Sequence, residues 1–119
     1  MNETKNTEGG LSLISTFERI RIINLKHRAD RRKEITGELL RLGLRIDGDK
    51  IAFHEACRPD SAGEFPTIGT RGCFLSHLGV LREALDSGWR NLLILEDDLD
   101  FSRDAATRIK PLLDDLRKT

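Results

Sequence analysis

Five carboxylate-rich positions, Glu96-Asp97-Asp98-Leu99-Asp100, directly follow the apolar run Asn91-Leu92-Leu93-Ile94-Leu95. Three carboxylates in a row repel one another unless a cation or a basic group sits among them. A hard divalent ion such as manganese or magnesium takes oxygen ligands, often one or two carboxylates together with substrate phosphates. On an extended backbone residues 96 and 98 point the same way. Glu96 and Asp98 can therefore share an ion while Asp97 faces elsewhere. The opposite charge gathers at the front of the chain. Between Arg19 and Lys50 there are ten basic residues against five acidic ones, whereas Glu96 to Asp104 holds five acidic residues and one arginine. A chain polarised in this way fits a site that needs both signs.

A second set of residues lies in Gly69-Thr70-Arg71-Gly72-Cys73-Phe74-Leu75-Ser76-His77. Gly72, Ser76 and Gly79 recur at helical spacing and leave one face nearly without side chains. Such a face allows close approach to a sheet or to a ligand, and packing is the commoner use. His77, one position off that face, reads by itself as a hydrogen-bonded structural histidine. His54, Cys57, Cys73 and His77 have gaps near those of zinc fingers, but the usual order places two cysteines before two histidines. Zinc is therefore disfavoured. Two cysteines make no disulfide framework, which agrees with a reducing, cytoplasmic setting.

These groups need a scaffold, and 119 residues provide one domain. Twenty Lys+Arg balance twenty Asp+Glu, which argues against nucleic acid as a partner. No apolar run has the roughly 18 residues of a membrane span, and the polar start lacks a secretory signal. Residues 1–18, with their Gly9-Gly10 pair, read as a flexible leader outside the fold, leaving 19–119 as the domain. Arg19 to Leu25 is β-branched and short, hence a strand. A helix with Ile35, Leu39 and Leu42 on one face follows, capped by Asp30 and ended by Gly43. Lys50 to Ala56 reads as a weaker strand, and Cys57 to Pro66 as a loop. Thr67 then caps a long helix with Phe74, Leu78, Leu81 and Leu85 on its apolar face. Asn91 to Leu95 is apolar on both sides, as a central parallel strand is. A last helix places Ala105, Ile109, Leu112 and Leu116 in register, with Pro111 as a kink. The order β-α-β-α-β-α implies a parallel sheet flanked by helices. In such sheets ligands bind at the carboxyl ends of the strands, where Asn24-Leu25-Lys26-His27-Arg28 and Glu96-Asp97-Asp98 both fall.

Three blocks, in this order, resemble the glycosyltransferases of family 25. The first is Ile23-Asn24-Leu25 with Arg28, Asp30, Arg31 and Arg32. The second is Gly72-Cys73-Phe74-Leu75-Ser76-His77, and the third is Leu93-Ile94-Leu95-Glu96-Asp97-Asp98. The resemblance runs from Arg19 to about Phe101. It implies a GT-A-type (Rossmann-like) α/β fold, a UDP-sugar donor, most often UDP-galactose, and a manganese-type ion with magnesium as substitute. It also implies a glycan or lipooligosaccharide acceptor in lipopolysaccharide biosynthesis and a cytoplasmic place, at most peripheral at the inner membrane. Glu96 and Asp98 would match the metal and diphosphate site. Asn24, Leu25, Arg28, Ser76, His77 and Asp97 would lie at the nucleotide-sugar, and no position is assigned as the catalytic base.

Two departures from the family pattern bear on function. Many relatives carry an acidic residue three positions after the capping threonine, completing a capping box. Here Thr70 stands there, so a less fixed helix start is expected. Family catalytic domains are also longer than this chain, which implies a truncated sheet lacking the acceptor wall and the base. A non-catalytic nucleotide-binding or interaction domain is the alternative, with self-association through an unpaired sheet edge. A phosphoacceptor receiver domain is disfavoured, because its acidic pair follows the first strand and Lys26-His27-Arg28 stands here instead.

Overall fold

The computed structural model describes residues 6–118, and strand β1 (Arg19–Asn24) lies at its centre. β1 pairs in parallel with β2 (Ile51–Glu55) on one side and β3 (Leu92–Glu96) on the other. Ile20 stands opposite both Ile51 and Leu93. The expected parallel α/β sheet is present, in the order β2-β1-β3. Its centre differs from the expectation. The apolar β3 is a half-buried edge, whereas β1 is buried from Ile20 onward.

The two arginines of β1 disguise its position. Arg21 is only 6% exposed. Its guanidinium meets Glu83 at 3.1 Å, donates to the Asp49 carbonyl at 2.8 Å and lies 4.6 Å from the Trp89 ring centre. A charge so paired and stacked can be buried at tolerable cost.

Helices α1 (Glu8–Thr16), α2 (Ala29–Arg41) and α4 (Ala105–Arg117) cover one face. Leu13, Ile35, Leu39 and Leu113 meet Ile20, Ile22 and Ile51 there in one core. Arg21 points to the opposite side of β1 from Ile20 and Ile22 and bonds Glu83 of α3 (Ile68–Ser87). α3 therefore covers the second face.

The leader is corrected from Thr7 onward. The Thr7 hydroxyl accepts from the Gly10 amide at 3.0 Å, capping α1, and donates to the Leu42 carbonyl at 2.9 Å. A Cβ at Gly9 would lie 2.8 Å from the carbonyl oxygens of Ala105 and Ala106, and one at Gly10 would collide with the Leu42 carbonyl. The glycine pair is thus what lets α1 lie directly on neighbouring backbone, and Leu13 is buried as a result. Residues 1–5 lie outside the described residues.

Other local expectations shift as well. α2 buries Ile35 and Leu39 as expected, and Gly43, with φ +78°, follows its end. Asp30 does not cap it: Arg28 holds the cap position and grips Asp30 instead. In α4 the buried residues are Ala105 and Leu113, while Leu112 is 67% exposed and Leu116 59%. Pro111 lies inside this helix.

α3 shows the largest difference. Gly72, Ser76 and Val80 face the sheet, and Phe74, Leu81 and Leu85 are exposed. A Cβ at Gly72 would be 2.8 Å from the Cys57 carbonyl, and one at Gly79 3.0 Å from His54 Nε2. The helix sits too close to β2 and its following loop for a leucine to fit between. Among the described residues no helix is long and apolar enough to cross a membrane.

Candidate functional site

A cleft of about 400 Å³ lies at the carboxyl ends of the strands. Glu96, Asp97 and Asp98 border it after β3. His27, Arg28 and Arg31 border it after β1, and Arg58 after β2. Ile23, Leu25 and Pro59 supply apolar surface, while Ile68 and Gly69 bring the first turn of α3. The two charge clusters of the sequence thus meet in one place.

Asn24 joins the walls without lining the cleft. It is 3% exposed, and its amide nitrogen donates to Asp97 at 2.8 Å and to the Arg28 carbonyl at 3.2 Å. Its amide oxygen accepts from Arg32 at 2.9 Å. One side chain therefore ties the end of β1 to the start of α2 and to the acidic turn. Asn24 positions the site, and Asp97 is held by it. Leu25 lies in the cleft wall.

Arg28 is engaged. It donates to both Asp30 oxygens, at 3.0 and 2.9 Å, and that hydrogen bond holds the Asp30 carboxyl down at about 2. An anion entering the cleft would have to draw Arg28 away from this partner. Arg31 and Arg58 have no ion-pair or side-chain hydrogen-bond partner among the described residues, so they are the readier cations. The site assignment from sequence missed both. Arg31 stands three positions after Arg28 at the start of a helix, a spacing that could have marked it; Arg58 sits in a loop with no pattern.

Ser76 lines the cleft, but its hydroxyl donates to the Gly72 carbonyl at 2.7 Å and accepts from the Cys57 amide at 2.8 Å. It holds α3 to the loop after β2 and has little left for a ligand. His77 does not border the cleft. Its Nδ1 donates to the Cys73 carbonyl at 2.8 Å and lies 3.7 Å from Cys73 Sγ, which is 3.8 Å from Glu96. Burial and the nearby Glu96 charge raise the Cys73 thiol above its ordinary pKa. The start of α3 is fixed despite Thr70: Thr67 accepts the Thr70 amide at 3.0 Å, and the two hydroxyls meet at 2.8 Å.

Glu96 and Asp98 supply hard oxygen donors on the same cleft, and Asp98 has no hydrogen-bond or ion-pair partner among the described residues. That donor chemistry fits a hard divalent ion. His54 and Cys57 do not join Cys73 and His77 in a ligand cluster; Glu96 does.

A sequence model described as glycosyltransferase family 25 (LPS biosynthesis protein) matches residues 49–119. The chain belongs to glycosyltransferase family 25. Among its curated relatives, procollagen galactosyltransferase 2 of Mus musculus is 30% identical over 118 residues, covering 86% of this chain and 19% of that protein. A glycosyltransferase 25 family member of Aedes aegypti is 29% identical over 115 residues, covering 83% of this chain and 19% of that protein. The inactive glycosyltransferase 25 family member 3 of Homo sapiens is 26% identical over 116 residues, covering 84% and 20% respectively. The chain spans about a fifth of the length of these family 25 proteins. No solved structure matches it significantly.

Proposed function

We propose that this chain forms the donor side of a glycosyltransferase that moves galactose from UDP-galactose to a glycan acceptor. The observation that carries the reading is a cleft holding three carboxylates, two guanidinium groups without a partner among the described residues, and the first turn of a 20-residue helix. A nucleoside diphosphate leaves readily only when its growing negative charge is met by a metal or by cationic groups. Manganese or magnesium, held by Glu96 and Asp98, would supply part of that charge. Arg31, Arg58 and the amides at the start of α3 would meet phosphate oxygens, since a helix N-terminus favours anions. The relatives named as galactosyltransferases support galactose as the sugar, and the family's description as an LPS biosynthesis protein supports a lipopolysaccharide acceptor.

Calorimetric titration with UDP, with and without manganese, tests the donor reading. Binding that depends on manganese is expected, with Asp98→Asn weakening it about tenfold, or about 1.4 kcal/mol. No heat at millimolar UDP would end this reading.

A second reading follows from the human relative named inactive, which aligns over the same stretch: the chain binds nucleotide and transfers nothing. Incubation with UDP-galactose and manganese separates the two, because only the first releases UDP. Under either reading the outer edges of β2 and β3, which have no partner strand among the described residues, favour self-association. Sedimentation equilibrium is expected to show dimers or larger species, and a clean monomer would exclude them.

A further inference from the structure

Cys73 and His77 of the second motif, which the donor reading does not use, converge on Glu96, which that reading pairs with Asp98. Cys73 and His77 are four positions apart on α3, hence on one helix face, and Glu96 at the tip of β3 approaches the same face. One donor atom from each of the three lies within 4.8 Å of the other two. The sulfur is 3.7 Å from His77 Nδ1 and 3.8 Å from Glu96 Oε1. Tetrahedral zinc, with bonds of about 2.3 Å to sulfur and about 2.0 Å to nitrogen or oxygen, separates such ligands by about 3.5 Å. The protein therefore holds sulfur close to coordinating distance from both partners before any ion is added.

We propose that Cys73, His77 and Glu96 bind one thiophilic divalent ion of the zinc class, with the fourth position left to water. The donors are the reason for that class. Thiolate and imidazole suit zinc or cobalt, whereas manganese and magnesium prefer carboxylate and water. Three protein ligands and one exchangeable position mark an open site rather than a closed structural one. On binding, the metal–sulfur bond replaces the thiol S–H and the proton passes to solvent. The imidazole ring turns from the Cys73 carbonyl that Nδ1 now faces at 2.8 Å, the metal takes Nδ1, the ring proton moves to Nε2, and that carbonyl loses its donor. No electron is transferred.

Cobalt(II) tests this without any nucleotide, so failure here and failure of the donor reading are separate results. Titrating the chelator-stripped full chain with cobalt is expected to give a thiolate-to-cobalt charge-transfer band that saturates at one equivalent and disappears when zinc is added. Cys73→Ser should abolish the band, and His77→Gln should weaken cobalt binding at least tenfold. Cys57→Ser, which removes the other exposed thiol, should leave it intact. Thermal melts of each variant show that the fold persists; His77→Gln and Glu96→Gln serve where Cys73→Ser does not fold. Cobalt that binds without a charge-transfer band, or a band that follows Cys57 instead of Cys73, overturns the proposal.

Discussion

Asn24→Leu is expected to lower folding stability by about 1–3 kcal/mol, since a buried side chain would lose all its bonds while its partly buried partners recover some from water. Leucine keeps the branched heavy-atom skeleton but is larger, so the lost amide bonds and some overpacking would both contribute. Asp97 would lose its 2.8 Å donor, the Arg28 carbonyl its 3.2 Å one, and Arg32 its 2.9 Å acceptor. Arg32 would keep only the Lys26 carbonyl. Urea denaturation measures the loss. Asn24→Asp separates electrostatics from packing, because it keeps an acceptor for Arg32 but turns a carboxylate toward Asp97. Two facing carboxylates hold a proton above the usual carboxyl pKa of about 4. The folded-state pKa is then raised relative to the unfolded chain. The penalty is absent at low pH and grows as pH rises through that raised value. The Asp variant should therefore lie nearest wild type near pH 3 and furthest near pH 7, whereas the Leu variant should show a nearly constant gap. A pH-independent gap for both would mean that Asp97 does not face position 24.

The strands and their order of occurrence were legible because short β-branched or apolar runs ended in polar turns. The loop ends that form the cleft followed from the parallel topology. Periodicity misled where helices pack on backbone. In α3 the eye follows Phe74, Leu81 and Leu85, yet these are exposed, and Gly72, Ser76 and Val80 meet the sheet. Hydrophobic spacing marks an apolar face, but close approach selects the face with the least side chain. The same principle hid α1, whose Gly9-Gly10 pair looks like low complexity and works as a contact surface. The site was half legible. Its charges were visible in the sequence, but the role of Asn24 as a link and the pairing of Arg28 with Asp30 depend on hydrogen bonds that no spacing reveals. Glu96 was read as sharing an ion with Asp98, and the nearness of Cys73 and His77 to it comes from how α3 lies across β3.

Gly72→Ala tests that placement, with an expected loss of about 1–3 kcal/mol, the usual range for overpacking. The added methyl would stand 2.8 Å from the Cys57 carbonyl and 3.3 Å from Pro59 Cδ. The first of these is backbone and cannot turn aside, so α3 or the loop after β2 must move. Either movement strains the 2.8 Å bond from the Cys57 amide to Ser76. Gly37→Ala is the matched control. It makes the same chemical change inside α2, where a Cβ meets nothing within 4 Å, and should stabilise by about 0.5–1 kcal/mol through helix propensity. One substitution type with opposite signs at two helical glycines isolates the contact from propensity. Cys57, Arg58 and Pro59 all border the cleft, so the Gly72 variant should also bind UDP more weakly, while the Gly37 variant binds it unchanged. Equal melting temperatures for the Gly72 variant and wild type would show that α3 does not lie against this loop, and the cleft would lose one of its walls.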